Sequence, residues 1–276
     1  MPHYPQPNPA DVRPPVLCCS GLDPSGGAGL QADIEAVFAL DAHALVALTA
    51  TTIQNTHNAY RVDAVPDTLF QTAIETLAED IAIRAIKTGL IGSAGQARWL
   101  ATFAQRQALP LVTDPVLKAG GGARLADDPV AGAIVDALLP VSRLLTPNAA
   151  EARLLCGEAA DADIVRCGQR LSDGPAWVLI TGADEAADHE DETVFNQLFR
   201  DGQRVARYPW PRLPHRYHGS GCTLASACAA LIARGAETQA AVEQAQQYTW
   251  NSLEHAFRPG TGQHVPDRRR RTPPNA

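Results

Sequence analysis

The segment with the strongest chemical signal is HGSGCT, residues 218–223, in which two glycines open an apolar helical pattern. Backbone N–H groups at the start of a helix form an anion-binding site. Cys222 would lie in the first turn, where the positive end of the helix dipole favours a thiolate. A group there could take a proton from an attacking alcohol while the amides hold the charge on a transferring phosphoryl group. The alternative is a helix that starts with glycine and buries Cys222 as a small side chain.

A second glycine-rich segment, SGLDPSGGAGLQAD (20–33), joins an apolar run to a helical pattern. Gly26, Gly27 and Gly29 allow the backbone to approach a ligand closely. The segment is not a P-loop, since no Gly-Lys-Ser/Thr follows, and it is not a Gly-x-Gly-x-x-Gly motif. Asp33 falls one turn into the helix, where its carboxylate could accept a hydrogen bond from a substrate hydroxyl. It could equally be a favourable first-turn anion in an ordinary strand-to-helix turn.

Three further segments place polar side chains after apolar runs. In QNTHN (54–58) an amide offers the donor and acceptor that read the edge of a heterocycle, and an ordinary polar loop is the alternative. VTDPV (112–116) ends an apolar run on an acid, which needs a partner, water or a metal unless it lies in an exposed turn. In TPNAAE (146–151), Asn148 and Glu151 have the spacing of a capping box and also suit a hydrated Mg²⁺.

The composition narrows the class of protein. The 276 residues are 45% hydrophobic and 19% charged, which is enough apolar material for a packed core. With 23 basic and 30 acidic residues the formal net charge is −7, which disfavours nucleic acid as a partner. No apolar run reaches the roughly 18 residues of a membrane span, and the first residues do not resemble a secretory signal. Six cysteines in no zinc-binding spacing favour a reducing, cytoplasmic location.

The elements that must position these segments alternate between short apolar runs and longer helical patterns. Strands are predicted at 16–20, 44–50, 83–91, 109–116, 142–148 and 176–182, with two short antiparallel strands within 193–208. Helices are predicted at 30–40, 67–78, 95–107, 128–139, 221–234 and 238–256. This alternation predicts a parallel sheet with helices on both faces. Such sheets bind ligands beyond the carboxyl ends of their strands, and the segments described above fall at such ends.

Six motifs occur in the order and spacing of one known family: DPSGGAGLQAD, Gln-Asn-Thr at 54–56, KTGL at 87–90, TDPV at 113–116, TPNxxE and HGSGCTL. From about residue 16 to about residue 266, the sequence resembles the hydroxymethylpyrimidine/phosphomethylpyrimidine kinases of thiamine biosynthesis, within the ribokinase-like superfamily. The resemblance implies one three-layer α/β/α ribokinase-like domain at 16–265, with a mostly parallel central sheet and helices on both faces. The proline-rich residues 1–15 and the basic residues 266–276 are expected to be flexible arms.

The resemblance implies phosphorylation of 4-amino-5-hydroxymethyl-2-methylpyrimidine, its monophosphate, or both, with ATP and Mg²⁺. It also implies a cytoplasmic homodimer, and neither nucleic acid nor a membrane is an expected partner. Matched residue by residue, Asp33 would hold the substrate hydroxymethyl and Gln54 the ring edge. Gly21 and Leu90 would line the substrate pocket.

The same matching assigns the catalytic and cofactor sites. The anion hole would be built from the residues that open the last motif: Gly219, Ser220, Gly221 and Cys222. Mg²⁺ would lie near Asp114 and Glu151. The nucleotide phosphates would lie near Asn148, Thr181 and Gly182.

Two departures from the family pattern concern its phosphate-binding lysines. The family's Lys-Gly-Gly is replaced by Ile-Thr-Gly-Ala at 180–183, and a second lysine stands two places early, at Lys118. Lys118 or Arg124 could substitute for them. The missing lysines also allow a relative that binds the pyrimidine without efficient transfer. A pyridoxal or pyridoxine kinase, with the same site and a similar alcohol as substrate, is a further alternative. A Rossmann-like dinucleotide binder is disfavoured by the missing Gly-x-Gly-x-x-Gly motif.

Overall fold

One continuous sheet organises the chain, of which the computed structural model describes residues 13–117, 125–126, 128–183 and 192–269. Its strands are β1 (Pro15–Leu22), β2 (His43–Gln54), β3 (Ala59–Ala64), β4 (Ala85–Thr88), β5 (Leu111–Thr113), β6 (Leu144–Leu145), β7 (Trp177–Ile180), β8 (Thr193–Arg200) and β9 (Gln203–Pro211). They lie in the order β3-β2-β1-β4-β5-β6-β7-β8-β9. The six strands from β2 to β7 in this order are parallel, whereas β3, β8 and β9 run antiparallel to their neighbours. The order reverses between β1 and β4, which is where open α/β sheets bind ligands.

Helices cover both faces of this sheet. Within the described residues they are α1 (Gly29–Ala39), α2 (Asp67–Asp80), α3 (Ala94–Arg106), α4 (Asp128–Ala133), α5 (Ala149–Cys156), α6 (Ile164–Leu171), α7 (Ser220–Ala233) and α8 (Thr238–Glu254). Helices α1, α7 and α8 pack on one face, and α2 to α6 pack on the other. None of the helices in the described part of the chain is long and apolar enough to cross a membrane.

Strand β1 shows why the chain forms three layers. Val16 and Cys18 pack into the core beneath α1, α7 and α8, whereas Leu17 and Cys19 pack into the core of the opposite face. All four side chains are fully buried. A strand that is buried on both faces reads as a continuous apolar run, because successive side chains point to opposite sides. The predicted three-layer α/β/α fold is confirmed.

Strand β3 and helices α5 and α6 do not appear among the predicted elements, although the capping-box spacing at Asn148 and Glu151 marks the start of α5. Strand β3 pairs with β2 at the edge of the sheet and exposes most of its side chains, so it carries no apolar signal. Helix α6 has two arginines, a glycine and a glutamine among its eight residues, which obscure its single buried face. The predicted helix 128–139 changes pitch after Ala133, into a π-helical turn and then a 3₁₀ turn. The two antiparallel strands predicted within 193–208 are confirmed as β8 and β9.

Both ends of the domain extend further than the sequence indicated. Pro15, assigned to a flexible arm, begins β1 and is buried, whereas residues 1–12 lie outside the described range. The prediction of a solvated basic tail is wrong for residues 266–268, which are buried. Residues 270–276 lie outside the described range.

Arg268 shows why this tail is part of the fold. The residue is only 2% exposed. Its Nη1 donates to Glu35 on α1 (3.0 Å), its Nε donates to Thr223 Oγ1 on α7 (2.8 Å), and its Nη2 donates to the Gly27 carbonyl. The run of arginines in the sequence does not reveal these partners, because they come from distant segments.

Arg268→Ala is expected to lower the free energy of unfolding by about 3 kcal/mol, because it removes a buried donor from Gly27 and Thr223 and the cation beside Glu35. Arg269→Ala is the matched control, since its exposed side chain pairs with the neighbouring Asp267. Urea unfolding followed by circular dichroism measures both variants. Equal unfolding midpoints for the two would contradict a structural role for Arg268.

Candidate active site

A cleft of about 440 Å³ opens at the carboxyl ends of the parallel strands, beside the point where the strand order reverses. Of the site residues predicted above, those that line it are Gly21, Gln54, Leu90, Asp114, Asn148, Glu151, Thr181, Gly219, Ser220, Gly221 and Cys222. A cavity of this size suits a small-molecule ligand. Motifs that are far apart in the sequence therefore meet in one cavity.

The first turn of α7 forms one wall of this cleft. Gly219 is its N-cap residue and has a left-handed conformation with φ 85°. A Cβ at this position would overlap the carbonyl oxygen of Gly27, so only glycine fits. Glycine has no side chain with which to cap the helix, and the first N–H groups of a helix have no partners within it. These N–H groups border the cleft and suit an anion.

Cys222 lies in this turn as a neutral thiol. Burial raises the pKa of Cys222 to about 12, and the opposing effect of nearby Lys87 is smaller. Loss of hydration thus opposes the thiolate that the helix dipole was expected to favour, and the raised pKa favours a neutral thiol at this half-buried position. A general base has a pKa near the working pH, so the raised pKa favours a positioning role for Cys222 over that of a base.

Asp33 forms a buried ion pair with Lys87. Lys87 Nζ lies 2.7 Å from Asp33 Oδ1, and both side chains are fully buried. Ser20 donates to Asp33 Oδ2 (2.6 Å) and Ser226 donates to Oδ1 (2.7 Å). Burial alone would lower the pKa of Lys87, but the Asp33 carboxylate raises it above its ordinary value, so the lysine is charged.

The structure differs here from the expectation that Asp33 holds a substrate hydroxyl. Leu30, Asp33 and Val37 lie at helical spacing on the buried face of α1, so Asp33 is turned into the core. It is not among the residues that line the cleft. A lysine inside the apolar segment IRAIKTGLI is the sequence signal for this pair, since a buried cation requires an anion beside it.

Asp114 follows β5 and lies near the first turn of α7, with its Oδ1 3.8 Å from the position that a Cβ of Gly221 would take. Its buried Oδ2 has no hydrogen-bond partner among the described residues. Burial raises the pKa of Asp114 to about 6, and Lys87 offsets only part of this effect. A buried carboxylate oxygen without a donor requires a cation or a proton. Asp114 therefore fits the Mg²⁺ that the family resemblance implies.

Asn148 and Glu151 form a complete capping box and also border the cleft. Asn148 Oδ1 accepts the N–H of Glu151 (2.8 Å), and Glu151 Oε2 accepts the N–H of Asn148 (3.0 Å). Glu151 Oε1 accepts the N–H of Leu117 (3.3 Å). Within the described residues no three His, Cys, Asp or Glu side chains are grouped to hold a metal. A Mg²⁺ ion here would keep several waters, as it commonly does.

Of the two residues predicted to lie near the nucleotide phosphates after β7, Thr181 lines the cleft and Gly182 does not. The Gly182 N–H donates to Asn196 Oδ1 (3.2 Å), and a Cβ at Gly182 would overlap the carbonyl oxygen of Phe195 on β8. Strand β8 therefore passes so close to position 182 that a side chain larger than that of glycine does not fit there. Lys118 and Arg124, the suggested substitutes for the family lysines, lie outside the described residues.

A second cavity, of about 180 Å³, adjoins the cleft and shares Thr181, Ser220 and Gly221 with it. Trp210 and Trp250 form part of its wall, and their ring centroids lie 6.3 Å apart in a stacked arrangement. A flat aromatic ligand suits such walls.

Sequence reasoning assigned no role to Asp23 or His218, although both line the cleft. His218 Nε2 lies 2.7 Å from Asp23 Oδ2, and both side chains are buried. Each residue belongs to a glycine-rich motif, so the signal was present. Their pairing was hidden because 195 positions separate them in the sequence.

Comparison with known proteins identifies the family. The family model described as phosphomethylpyrimidine kinase matches residues 23–267. The chain is 34% identical over 260 residues to the hydroxymethylpyrimidine/phosphomethylpyrimidine kinase of Streptomyces coelicolor, covering 93% of this chain and 94% of that protein.

Solved structures agree with this result. Phosphomethylpyrimidine kinase from Clostridium difficile has a TM-score of 0.72 at 28% identity, covering 87% of this chain and all of that chain. Pyridoxal kinase from Staphylococcus aureus in complex with AMP-PCP has a TM-score of 0.83 at 26% identity, covering 93% and 94%. With its ribokinase-like fold, its cleft and its motifs accounted for, the chain belongs to the phosphomethylpyrimidine kinase family and is a phosphotransferase.

Proposed function

We propose that this kinase transfers the γ-phosphoryl group of ATP to 4-amino-5-hydroxymethyl-2-methylpyrimidine, to its monophosphate, or to both, in thiamine biosynthesis. The observation that carries the proposal is that the Gln54 amide and the start of α7 border the same cleft. A group that reads a ring edge and a turn that binds anions can therefore act on one substrate. Family membership supports the reaction class.

The pyrimidine would lie between Gln54 and the wall formed by Gly21 and Leu90. A Cβ at Gly21 would come within 2.8 Å of Leu90 Cδ2, so glycine leaves room beside this wall. The Gln54 amide offers one acceptor and one donor, which match an amino group beside a ring nitrogen.

Transfer would take place at the first turn of α7. The N–H groups of Gly219, Ser220 and Gly221 would stabilise the charge that develops on the phosphoryl group. Phosphoryl transfer depends mostly on positioning and electrostatics, so the neutral thiol of Cys222 would act as a positioning group. Asp114 would hold Mg²⁺ and Glu151 would bind its waters; when bound, the ion neutralises phosphate charge.

The nucleotide would extend from this turn along Asn148 and Thr181. Its base would enter the second cavity, against Trp210 and Trp250. The similarity to Staphylococcus aureus pyridoxal kinase in complex with AMP-PCP supports ATP as the donor.

A second candidate function is phosphorylation of pyridoxal or pyridoxine. It is favoured by a TM-score of 0.79 to Staphylococcus aureus pyridoxal kinase in complex with AMP-PCP and pyridoxal. A coupled ADP-release assay with hydroxymethylpyrimidine, its monophosphate and pyridoxal distinguishes the two. We expect kcat/KM to be higher for a pyrimidine than for pyridoxal, and turnover of pyridoxal alone would contradict the proposal.

We also propose that the protein is a cytoplasmic homodimer, as the family resemblance implies. Sedimentation equilibrium checks the dimer, and a mass of one chain at micromolar concentration would contradict it.

Cys222→Ala is expected to lower kcat/KM for the pyrimidine by roughly 10- to 100-fold, because a positioning contact at the transferring group is lost. Cys228→Ala, in the fully buried middle of the same helix, is the control and should retain activity. The ADP-release assay measures both. A rise in kcat between pH 6 and pH 9 that disappears in the alanine variant would instead indicate a thiolate.

Asp114→Asn is expected to abolish most activity and to stabilise the metal-free protein above pH 6. The pKa of Asp114 is about 6 in the folded protein, above the ordinary 3.8, so the folded state binds this proton more tightly. Stability is therefore lost as the pH rises from about 4 to about 6, by roughly 3 kcal/mol for two pKa units. Urea unfolding at pH 8 should show a higher midpoint for the variant, with the difference shrinking toward pH 4. A variant no more stable than wild type at pH 8 would refute this electrostatic argument.

A further inference from the structure

Two partners hold the side-chain amide of Gln54 from opposite ends. The structure places Gln54 Nε2 2.9 Å from His218 Nε2, and Gln54 Oε1 3.3 Å from Thr52 Oγ1. All three side chains line the cleft. The nitrogen and oxygen of a side-chain amide are nearly the same size, so the two atoms are assigned from the hydrogen-bond partners of each.

The His218 end requires an oxygen. The Asp23 carboxylate accepts hydrogen bonds from the N–H of Ser25 (2.9 Å), its hydroxyl (2.8 Å) and the N–H of Ala28 (2.9 Å). Burial alone would raise the pKa of Asp23, but the hydrogen bonds from His218 and Ser25 lower it. A carboxylate only accepts, so His218 Nε2, 2.7 Å away, carries a hydrogen in either charge state of the ring. A nitrogen that carries hydrogen cannot accept from an amide N–H, so the facing atom of Gln54 is Oε1. Oε1 then shares the one Nε2 hydrogen with the Asp23 carboxylate as a second acceptor.

The Thr52 end requires a nitrogen. Thr52 Oγ1 lies 2.9 Å from the carbonyl oxygen of Leu22, which can only accept. The single proton of the hydroxyl is therefore donated to Leu22, and Oγ1 can only accept from Gln54. The atom of Gln54 on this side is Nε2. Both ends independently give the same orientation, which is reversed from the placement of the two atoms in the structure.

We propose that His218, anchored by Asp23, is a positioning residue that fixes the polarity of the Gln54 amide and so determines which way round the pyrimidine binds. This proposal rests on the proposed function. Gln54 Oε1, on the His218 side, would then accept a hydrogen bond from the 4-amino group of the pyrimidine. Gln54 Nε2, on the Thr52 side, would donate to the ring nitrogen next to that amino group. The hydroxymethyl group is next to the amino group on the ring.

The resulting orientation matches the position of the anion-binding turn. His218 immediately precedes Gly219, the N-cap of α7, so the amino end of the ring and its neighbouring hydroxymethyl lie toward this turn. An amide of opposite polarity would favour the reversed ring, with the hydroxymethyl on the Thr52 side, away from α7.

The His218 ring is held in place by its surroundings. It is 6% exposed, and its backbone N–H donates to the His264 carbonyl (2.8 Å). A Cβ at Gly27 would overlap its Cδ2, so glycine is required for the ring to pack here. A fixed ring with a fixed hydrogen suits a residue that sets the orientation of its neighbour.

The test compares the hydroxymethylpyrimidine with its analogue that lacks the 4-amino group. Wild type is expected to prefer the amino compound by roughly 10- to 100-fold in kcat/KM, because the analogue leaves Gln54 Oε1 without its ligand donor. His218→Phe keeps an aromatic ring but removes the N–H, and should reduce this preference at least 10-fold or to near unity. Asp23→Asn no longer requires a hydrogen on His218 Nε2, so this variant should also reduce the preference for the amino compound. It replaces His218→Phe in the test if that variant fails to fold.

Two controls separate positioning from general damage. His255→Phe, at the exposed end of α8, should leave the preference unchanged. In a Gln54→Leu background, His218→Phe should have no further effect on the preference, since the group it orients is gone. Equal losses of kcat/KM for both compounds in His218→Phe, with the preference intact, would overturn the proposal.

Calorimetric binding of the same two compounds tests the role of His218 apart from turnover. The ratio of Kd values should fall in His218→Phe as the kinetic preference does, even if wild type were to phosphorylate only pyridoxal. That outcome would contradict the proposed function and leave the positioning role supported. A wild-type Kd ratio near one would overturn the positioning role whichever substrate is phosphorylated.

Discussion

The site depends on a close approach between two backbone segments, the first glycine-rich turn and the start of α7. The carbonyl oxygen of Gly27 lies where a Cβ of Gly219 would be, and the His218 ring lies where a Cβ of Gly27 would be. No side chain fits between these segments, so they can only meet through glycines. Arg268 then joins them, since its guanidinium donates to Gly27 and to Thr223. The first turn of α7 is thereby fixed relative to the cleft.

A surplus of negative charge lies beneath this junction. Lys87 is fully buried and neutralises Asp33, which it touches, but Asp114 has no such partner among the described side chains. Two carboxylates thus lie near one buried cation. Burial raises the pKa of Asp114, Lys87 offsets part of this effect, and the Asp33 carboxylate adds to it. Burial, together with the nearby carboxylates, likewise raises the pKa of Cys222 and favours its neutral thiol. The site is therefore suited to receive a cation on one side and a phosphoryl group on the other.

The order of elements along the chain was predictable because it depends on local patterns. Runs such as VLCC (16–19) are apolar at successive positions, as a strand buried on both faces requires, and they alternate with segments of helical spacing. Strand β3 and helix α6 escaped this reasoning, because an exposed edge strand and a short helix with one buried face carry weak periodicity. The capping box at Asn148 and Glu151 was visible in the sequence for the opposite reason, since it involves contacts only three residues apart.

By itself, the sequence determined that the glycine-rich and polar motifs gather at one cleft, because strand ends in a parallel sheet meet at one edge and each motif follows a strand. Only the tertiary structure decided what each residue does there. Asp33 is turned to Lys87 and away from the cleft, burial raises the pKa of Cys222, and Arg268 is buried. These outcomes depend on partners and burial supplied by segments 50 to more than 200 positions away, such as Lys87 for Asp33 and Gly27 for Arg268. Desolvation and pairing of charges act through space, and a local pattern of residue types does not record them.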